Sequence, residues 1–585
     1  MHGFFYCLVF AMMSQVMKDT LIKTLKSALE ELGISNPEVA LSYPEQFSFG
    51  EFTTNVAMVY AKELGKNPKQ LADEIIHILN NSQTPMLSKV EVVGPGFINF
   101  SVTREYYSQI LNEIISRGDD FGRSDILKNK KVMIEYTQPN PFKPFHIGHL
   151  MSNAIGESLS RIIESQGANV IRANYQGDVG PHVAKAIYGI LKKGKPDATL
   201  PLSTQAHYIG ECYVWGNNEY ETHEDAKKEI DRINKSVYEK NDEEINELYK
   251  WGREVTLSAF EELYALLGTK FDYYFFESDT AVSGKSIVEE GLGRGVFEKS
   301  DGAIVFHGEH YDPKLHTRVF VNSQGIPTYE EKEIGLTKKK FDLENPDLSI
   351  VTTAVEQKEY MKVVLKAVEI LFPEYTSKMM HINHGMMRFA TGKMSSRKGN
   401  VITGESLIHD TVSVVKDIMK DRDMSSQEIA TISEIIAVSA IKFSILRQAT
   451  GGDIVFDFEN SISFEGDSGP YLLYSVTRAK SVLSKASENN IVASSLNPTQ
   501  ELSPLEQLLG RFPFVVSRAY SEYAPHHIVT YLLALSGEFN AFYAHNPIAQ
   551  KDRDESPYNV MLTQAFVQVM KNGLQLLGIK VPERM

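Results

Sequence analysis

Cysteine is almost missing from this 585-residue chain: only Cys7 and Cys212 occur. Two thiols so far apart exclude a disulfide framework and a zinc cluster, and point to an intracellular, cytoplasmic protein. An excess of positive charge is missing too. Sixty Lys and Arg face 75 Asp and Glu, a net charge of −15, which excludes a general basic coat for nucleic acid. Local cationic patches stay open. Lys338-Lys339-Lys340 is one, with a solvated basic loop as the plainer alternative. Long apolar runs are also lacking near the start. Phe4–Met13 is too short to span a bilayer and has neither a basic flank nor a small-residue cleavage site. Residues 1–16 are therefore expected to be a dispensable extension, with Met17 as an alternative start. No internal repeat and no low-complexity stretch occurs. What remains, 42% hydrophobic and 23% charged residues, is enough for two to four ordinary domains without a membrane segment.

Patterning divides the chain. Residues 17–125 predict a small α+β domain: Ala61, Leu64, Leu71, Ile75, Ile76 and Leu79 mark helices, and Val90–Val93 with Phe97–Val102 mark strands around Gly94-Pro95-Gly96. Residues 126–405 alternate strand and helix signals, which predicts an α/β fold built on a Rossmann-like doubly wound parallel sheet. Within them, residues 195–265 are more polar and helical, and predict an insertion with a solvated charged face. From 406 to 585 strand signals fade. Ile432, Ile436, Ser439, Phe443 and Leu446 share one helix face, as do Ile528, Tyr531, Leu532, Leu535, Phe539 and Phe542, so a C-terminal α-helical bundle is expected.

The most informative stretch is 131–180. Val132–Tyr136 predicts a buried strand. Leu150, Ala154, Ile155, Leu159, Ile162 and Ile163 then repeat at helical spacing up to Gly167, and Val170–Tyr175 predicts a second strand. The strand-to-helix turn carries His146-Ile147-Gly148-His149. Such a turn lies outside a strand's carboxyl end and at a helix N-terminus, where open parallel sheets bind nucleotides. Histidines three apart can address one point, and Gly148 lets a nucleoside lie against the backbone. The unpaired N–H groups and the helix dipole suit a polyphosphate whose charge grows in the transition state. A metal is an alternative for two histidines, but no third ligand is evident, and none is assigned. Far downstream, Gly392-Lys393-Met394-Ser395-Ser396-Arg397-Lys398-Gly399 sets three cations and two hydroxyls between glycines, a loop suited to phosphates.

His146–His149 and Lys393–Arg397 together resemble the two signatures of class I aminoacyl-tRNA synthetases. The flanking residues resemble the arginyl branch of that family: Glu135-Tyr136-Thr137-Gln138-Pro139-Asn140 with Lys143, Asn174 to Gly180, Phe271-Asp272, Glu277-Ser278 and Thr328-Tyr329. Phe49 to Asn55 and Gly94 to Phe100 are similar to its N-terminal domain. Gly469 to Tyr474 and Leu577 to Met585 are similar to its anticodon-binding domain.

The resemblance implies a two-step reaction. The carboxylate of arginine attacks the α-phosphorus of Mg-ATP, giving arginyl-adenylate and pyrophosphate, and the terminal adenosine's hydroxyl on tRNA(Arg) then attacks the activated carbonyl, releasing AMP. Neither step needs an enzyme nucleophile, so catalysis is positioning and charge stabilisation. It implies ATP contacts from His146, Gly148, His149, Lys393, Ser395 and Ser396. Lys143, Lys393 and Lys398 would supply positive charge, Lys143 replacing in part the second loop lysine that Ser396 displaces. An arginine pocket of Tyr329, Glu333 and Gln357 would offer fixed acceptors to a planar five-donor cation, with Glu135 and Asn140 at the substrate's ammonium and carboxylate end. Glu333 stands where the family commonly has Asp, which leaves Glu330 or Glu331 as alternatives. For tRNA, the implied contacts are Phe97 and Asn99 in the N-terminal domain, and Tyr471, Tyr474, Arg478 and Met585 in the C-terminal one. A monomer with ATP and Mg2+ as substrate, and no bound prosthetic group, is expected. Another nucleotidyl-transfer enzyme, or a silent RNA-binding relative, are the competing readings.

Overall fold

In a computed structural model, the structure describes residues 13–44, 46–81, 84–390, 403–496 and 502–585. The first helix runs Met13–Glu31, so the boundary expected at 16/17 falls inside it. Ser14 is buried there, and the Met13 N–H donates to Glu113 Oε2 at 2.9 Å. Behind that helix, Phe97–Val102 sits between Phe52–Thr54 and Leu87–Val93 in an antiparallel sheet. Phe52, Leu71, Ile75 and Phe100 fill its core.

Five parallel strands form the central sheet: β1 (Lys131–Glu135), β2 (Asn169–Gln176), β3 (Tyr273–Phe276), β4 (Leu348–Ala354) and β5 (Met379–His384). Their spatial order is β3-β2-β1-β4-β5. The order reverses between β1 and β4, so the crevice beyond the carboxyl ends of these two strands is where a doubly wound sheet binds its ligand. Helix α1 (Ile147–Ser165) follows β1, and α2 (Pro181–Lys193) follows β2. Three helices, Leu202–Thr222, Glu224–Glu239 and Glu243–Leu267, then intervene before β3. After β3 come α3 (Glu277–Gly293), α4 (Tyr329–Glu344) and α5 (Lys358–Leu371). Between α3 and α4 lies a three-stranded antiparallel sheet, Glu298–Ser300, Ala303–His307 and Thr317–Val321, that the sequence does not announce. Its strands are only three to five residues long, and the first is wholly exposed, so no alternation marks them.

Helix α1 is buried along almost its whole length. Leu150, Leu159 and Ile162 have no exposed surface, each burial contributing about 1.5–3 kcal/mol. Gly156 lets α1 close on β1: a Cβ there would collide with the Tyr136 ring. Gly156→Ala is expected to destabilise the protein by about 1–3 kcal/mol despite alanine's better helix propensity. A thermal melt checks this, and an unchanged midpoint contradicts it.

The boundary expected at 405/406 also falls inside a helix, Gly404–Met419. Beyond it stand α6 (Ser426–Leu446), α7 (Gly469–Glu488), α8 (Pro504–Ser521), α9 (His526–His545) and α10 (Ser556–Leu576). This region is not purely helical, because Ile454–Phe456 pairs in parallel with Met387–Phe389. Helix α6 is long and apolar enough to cross a membrane, but 72% of its apolar window is buried inside the protein, as befits a core helix. From α6, the buried Lys442 ammonium donates to the Leu267 carbonyl at 2.6 Å and the Gly578 carbonyl at 2.7 Å. From α1, Ser158 Oγ donates to the Leu576 carbonyl at 3.0 Å and Arg161 to the Gln575 carbonyl at 3.2 Å. The helix that begins at the histidine turn is thus bonded directly to the end of α10.

Candidate active site

The segment between β1 and α1 is strained. Thr137, Gln138 and Phe142 have φ of 76°, 53° and 66°, a region that costs residues with a side chain on the order of 1–3 kcal/mol each. Helix α1 holds the turn in place. Thr137 N–H donates to Ser152 Oγ at 2.9 Å, and Asn153 Nδ2 donates to Thr137 Oγ1 at 3.0 Å. Gln138 N–H donates to Asn174 Oδ1 at 3.2 Å, tying the turn to β2.

His146 is the N-cap of α1. Its N–H donates to His149 Nδ1 at 3.2 Å, the reach-back that Glu or Gln makes in an ordinary capping box. The two imidazoles stack with centroids 3.5 Å apart. Because His149 Nδ1 accepts, its proton resides on Nε2, which remains a donor. Burial, then the neighbouring His146 and Lys143, holds His149 neutral to well below the usual histidine range. His146 is pushed down to about 4 by desolvation and the Lys143 charge. Both rings are neutral at physiological pH. A Cβ on Gly148 would stand 3.0 Å from the His146 ring, so glycine lets that ring fold over the helix N-terminus. Among the described residues, no group of three His, Cys, Asp or Glu side chains is placed to hold a metal.

Lys393, Ser395, Ser396 and Lys398 lie outside the described residues. The chain on either side of them is anchored. Met387–Phe389 is paired with Ile454–Phe456, and the Ala390 N–H donates to the Phe456 carbonyl at 3.0 Å. On the far side Thr403 pairs with His146, and the Gly404 N–H donates to the Phe145 carbonyl at 2.8 Å. Thr403, the first described residue beyond the basic stretch, therefore lies on the histidine turn.

Beside the turn lies a cluster of carboxylates. Glu333, half-buried on α4, is raised to about 8 by burial and then by Glu135. Glu277, buried on α3, pairs with Lys332 at 2.6 Å. Asn140 is half-buried, and its Oδ1 accepts from the Gly177 N–H at 3.0 Å. Lys143 stands 5.4 Å from the Tyr213 ring centroid, its pKa lowered by burial and counteracted by Glu277. The alternatives to Glu333 point elsewhere. Glu330 pairs with Arg318 at 3.4 Å, and Glu331 packs against Gly284 of α3, raised to about 7 by burial. Tyr329 is 67% exposed, one turn before Glu333, and Gln357 is exposed in the turn that follows β4.

Two expectations need correction. Glu135 is not open to a substrate ammonium: it has no exposed surface, and its two oxygens take Gln138 Nε2 and the Lys340 ammonium. Lys338-Lys339-Lys340 is not a solvated loop or a cationic patch. It lies on α4, where Lys338 pairs with Asp342 and Lys339 with Asp279, while Lys340 is buried against Glu135. Helical spacing separates three consecutive lysines onto different faces.

The positions expected to meet tRNA fall in two places. Phe97 is 38% exposed, whereas Asn99 is buried and its Oδ1 accepts from Thr53 Oγ1 at 2.6 Å. On α7, Tyr471 and Tyr474 are half-buried. Arg478 lies 4.6 Å from the Tyr474 ring centroid and 5.4 Å from that of Tyr543, and donates to Asn540 Oδ1 at 3.1 Å. Asn540 in turn donates to the Tyr471 hydroxyl at 3.0 Å. Asn540 and Tyr543 come from α9, and periodicity within α7 gives no sign of them. Met585 is half-buried against the core, and Lys480 of α7 reaches the nearby Pro582 carbonyl at 3.3 Å.

A Rossmann-type sheet with paired histidines at its switch point, followed by a helical bundle, defines a class I synthetase architecture. Residues 110–458 match the family model for "tRNA synthetases class I (R), catalytic domain", residues 472–585 that for "DALR anticodon binding domain", and residues 18–102 that for "Arginyl tRNA synthetase N terminal domain". The chain is 30% identical to the arginine–tRNA ligase of Fusobacterium nucleatum, over 98% of this chain and 99% of that one. It is 29% identical to that of Halothermothrix orenii, over 97% and 99%. The solved Thermus thermophilus arginyl-tRNA synthetase superposes with a TM-score of 0.79 at 22% identity, covering 97% of this chain and all of that one. The Plasmodium falciparum arginyl-tRNA synthetase superposes at 0.75 and 20% identity, covering 97% and 99%. The chain belongs to the arginyl-tRNA synthetase family.

Proposed function

We propose that this protein is an arginine–tRNA ligase, which activates L-arginine with ATP and transfers it to the terminal adenosine of tRNA(Arg). The observation that carries this reading is the stacked, neutral pair His146 and His149, capping α1 beside the carboxylate cluster around Glu333. Neutral imidazoles at a helix N-terminus donate hydrogen bonds without forming a fixed ion pair with phosphate. Their contribution grows as charge develops at the α-phosphorus. Lys143, Lys393 and Lys398 add positive charge, with Ser395 and Ser396 as further ATP contacts on the strength of the sequence. Mg2+ enters with ATP.

Glu333 accepts the guanidinium, aided by Tyr329 and Gln357 at the mouth. Charge-assisted hydrogen bonds from a planar fork satisfy several acceptors at once, and lysine leaves some of them unpaired. Asn140 addresses the backbone end of the amino acid, while Glu135 acts from behind, through Gln138 and Lys340. Tyr471, Tyr474, Arg478 and Met585 form the anticodon-facing surface, which Tyr543 extends. Half-exposed aromatics with an arginine over them suit unstacked RNA bases. Phe97 is the exposed candidate on the N-terminal domain for tRNA contact, and Asn99 supports its strand. The protein acts as a cytoplasmic monomer. Exchange of labelled pyrophosphate into ATP tests the reading: it should require arginine, and exchange driven by a different amino acid contradicts the assignment.

A further inference from the structure

The arginine pocket contains an internal cation that the proposed chemistry does not use. Lys340 lies two turns along α4 from Glu333, is 2% exposed, and ion-pairs with the fully buried Glu135 of β1. A buried ammonium beside a site for a cationic substrate is costly unless it does something there. The charges of the cluster suggest what. Glu277 is matched by Lys332, and Glu135 by Lys340. Among the described residues, Glu333 has no ion pair of its own. We infer that Lys340 is a positioning residue that sets the charge of the pocket: by neutralising Glu135, it leaves Glu333 as the one uncompensated carboxylate, matched to a single guanidinium.

This inference rests on the arginine-activating reading and deepens it. The groups that influence or are influenced by Glu333 come from every side: Glu135 from β1, Tyr175 from β2, Glu277 from α3, Tyr360 from α5, and Glu330 and Lys340 from its own helix. Burial comes first and Glu135 second in favouring the protonated form of Glu333, while Lys340 opposes them. Burial and Glu135 therefore favour a proton on Glu333 at pH values well above the usual carboxylate range. Arginine, always charged, displaces that proton when it binds, so its affinity should rise with pH through this range. Without Lys340, the fully buried Glu135 would act on Glu333 with no cation paired to it, and the proton would be held more tightly.

The test is the pH dependence of KM for arginine in tRNA-supported aminoacylation, compared among wild type, Lys340→Met and the double variant Glu135→Gln/Lys340→Met. The pH at which KM levels off should move up by about one unit in Lys340→Met, about tenfold in KM at neutral pH. Removing both charges should reverse that shift and bring the plateau to the wild-type value or below it, because the upward push of Glu135 is lost together with the opposing pull of Lys340. A merely structural lysine gives no such reversal, since the double variant packs no better than the single one. A wild-type profile in Lys340→Met overturns the inference, as does a double variant shifted as far as the single. Where Lys340→Met does not fold, the double variant alone decides: a plateau moved above wild type by a full unit overturns the inference, and one at or below the wild-type value supports it. Failure of the wild type to use arginine at all would overturn instead the reading on which the inference rests.

Discussion

Replacing His149 with alanine is expected to lower kcat for arginine activation by about 10²–10³-fold, the loss that follows removal of one preorganised donor from a site of developing charge. Two effects combine. The Nε2 donor disappears, and the His146 N–H loses the acceptor at 3.2 Å that fixes the N-cap. His149→Gln keeps a side-chain acceptor that can reach back to the cap, so it should keep the fold while losing most of the activity. KM for arginine should change little, because the proposed arginine pocket lies on α4 and the segment after β1. The pH profile offers a second check. With His146 lowered to about 4 and His149 held well below the usual histidine range, neither ring changes charge near neutral pH, so kcat at saturating substrates should show no histidine limb there. Steady-state kinetics of the three proteins decides, and an Ala variant within tenfold of wild type contradicts the role.

Replacing Glu333 with alanine should raise KM for arginine by about 10²–10³-fold, the range that follows when one partner of a buried charge pair is removed. It should also flatten the pH dependence of KM, because the proton released on binding resides on Glu333. The sign follows from the shift: a carboxyl raised to about 8 is mostly neutral at pH 7, so arginine binds more weakly below that value and more strongly above it. Glu333→Asp moves the carboxylate back by about 1 Å, and should cost less than Ala. Alanine variants at Glu330 and Glu331 should leave KM for arginine within about threefold, since Glu330 pairs with Arg318 and Glu331 packs against α3. If either of them matched the loss at Glu333, the pocket would be wrongly assigned.

The sequence made the β1–α1–β2 unit legible because its apolar periods are long and unbroken. The strand expected from Val132 and the helix from Leu150 lie in β1 and α1. The short strands at Glu298–Ser300 and Ile454–Phe456 were not legible, since three residues carry no period, the first strand is wholly exposed and the second pairs with a distant segment. The site was legible to the extent that it is local. His146 and His149 cap one helix, and Glu333 follows Tyr329 on another. Partnerships across elements were hidden. Nothing in three consecutive lysines says that the third turns inward to meet Glu135, more than two hundred positions earlier, and nothing in α7 points to Asn540 and Tyr543. The surroundings of Glu135 were hidden for the same reason: its buried counter-ion comes from a distant helix.

The central claim is that this fold joins arginine to tRNA(Arg). Its most direct measurement is the charging of a tRNA(Arg) transcript by the purified full-length protein with ATP and labelled arginine, beside parallel reactions with lysine and with no ATP. Label is expected on the terminal adenosine with matching release of AMP, from arginine and only with ATP. No charging by a folded protein, or charging with lysine as readily as with arginine, would contradict it.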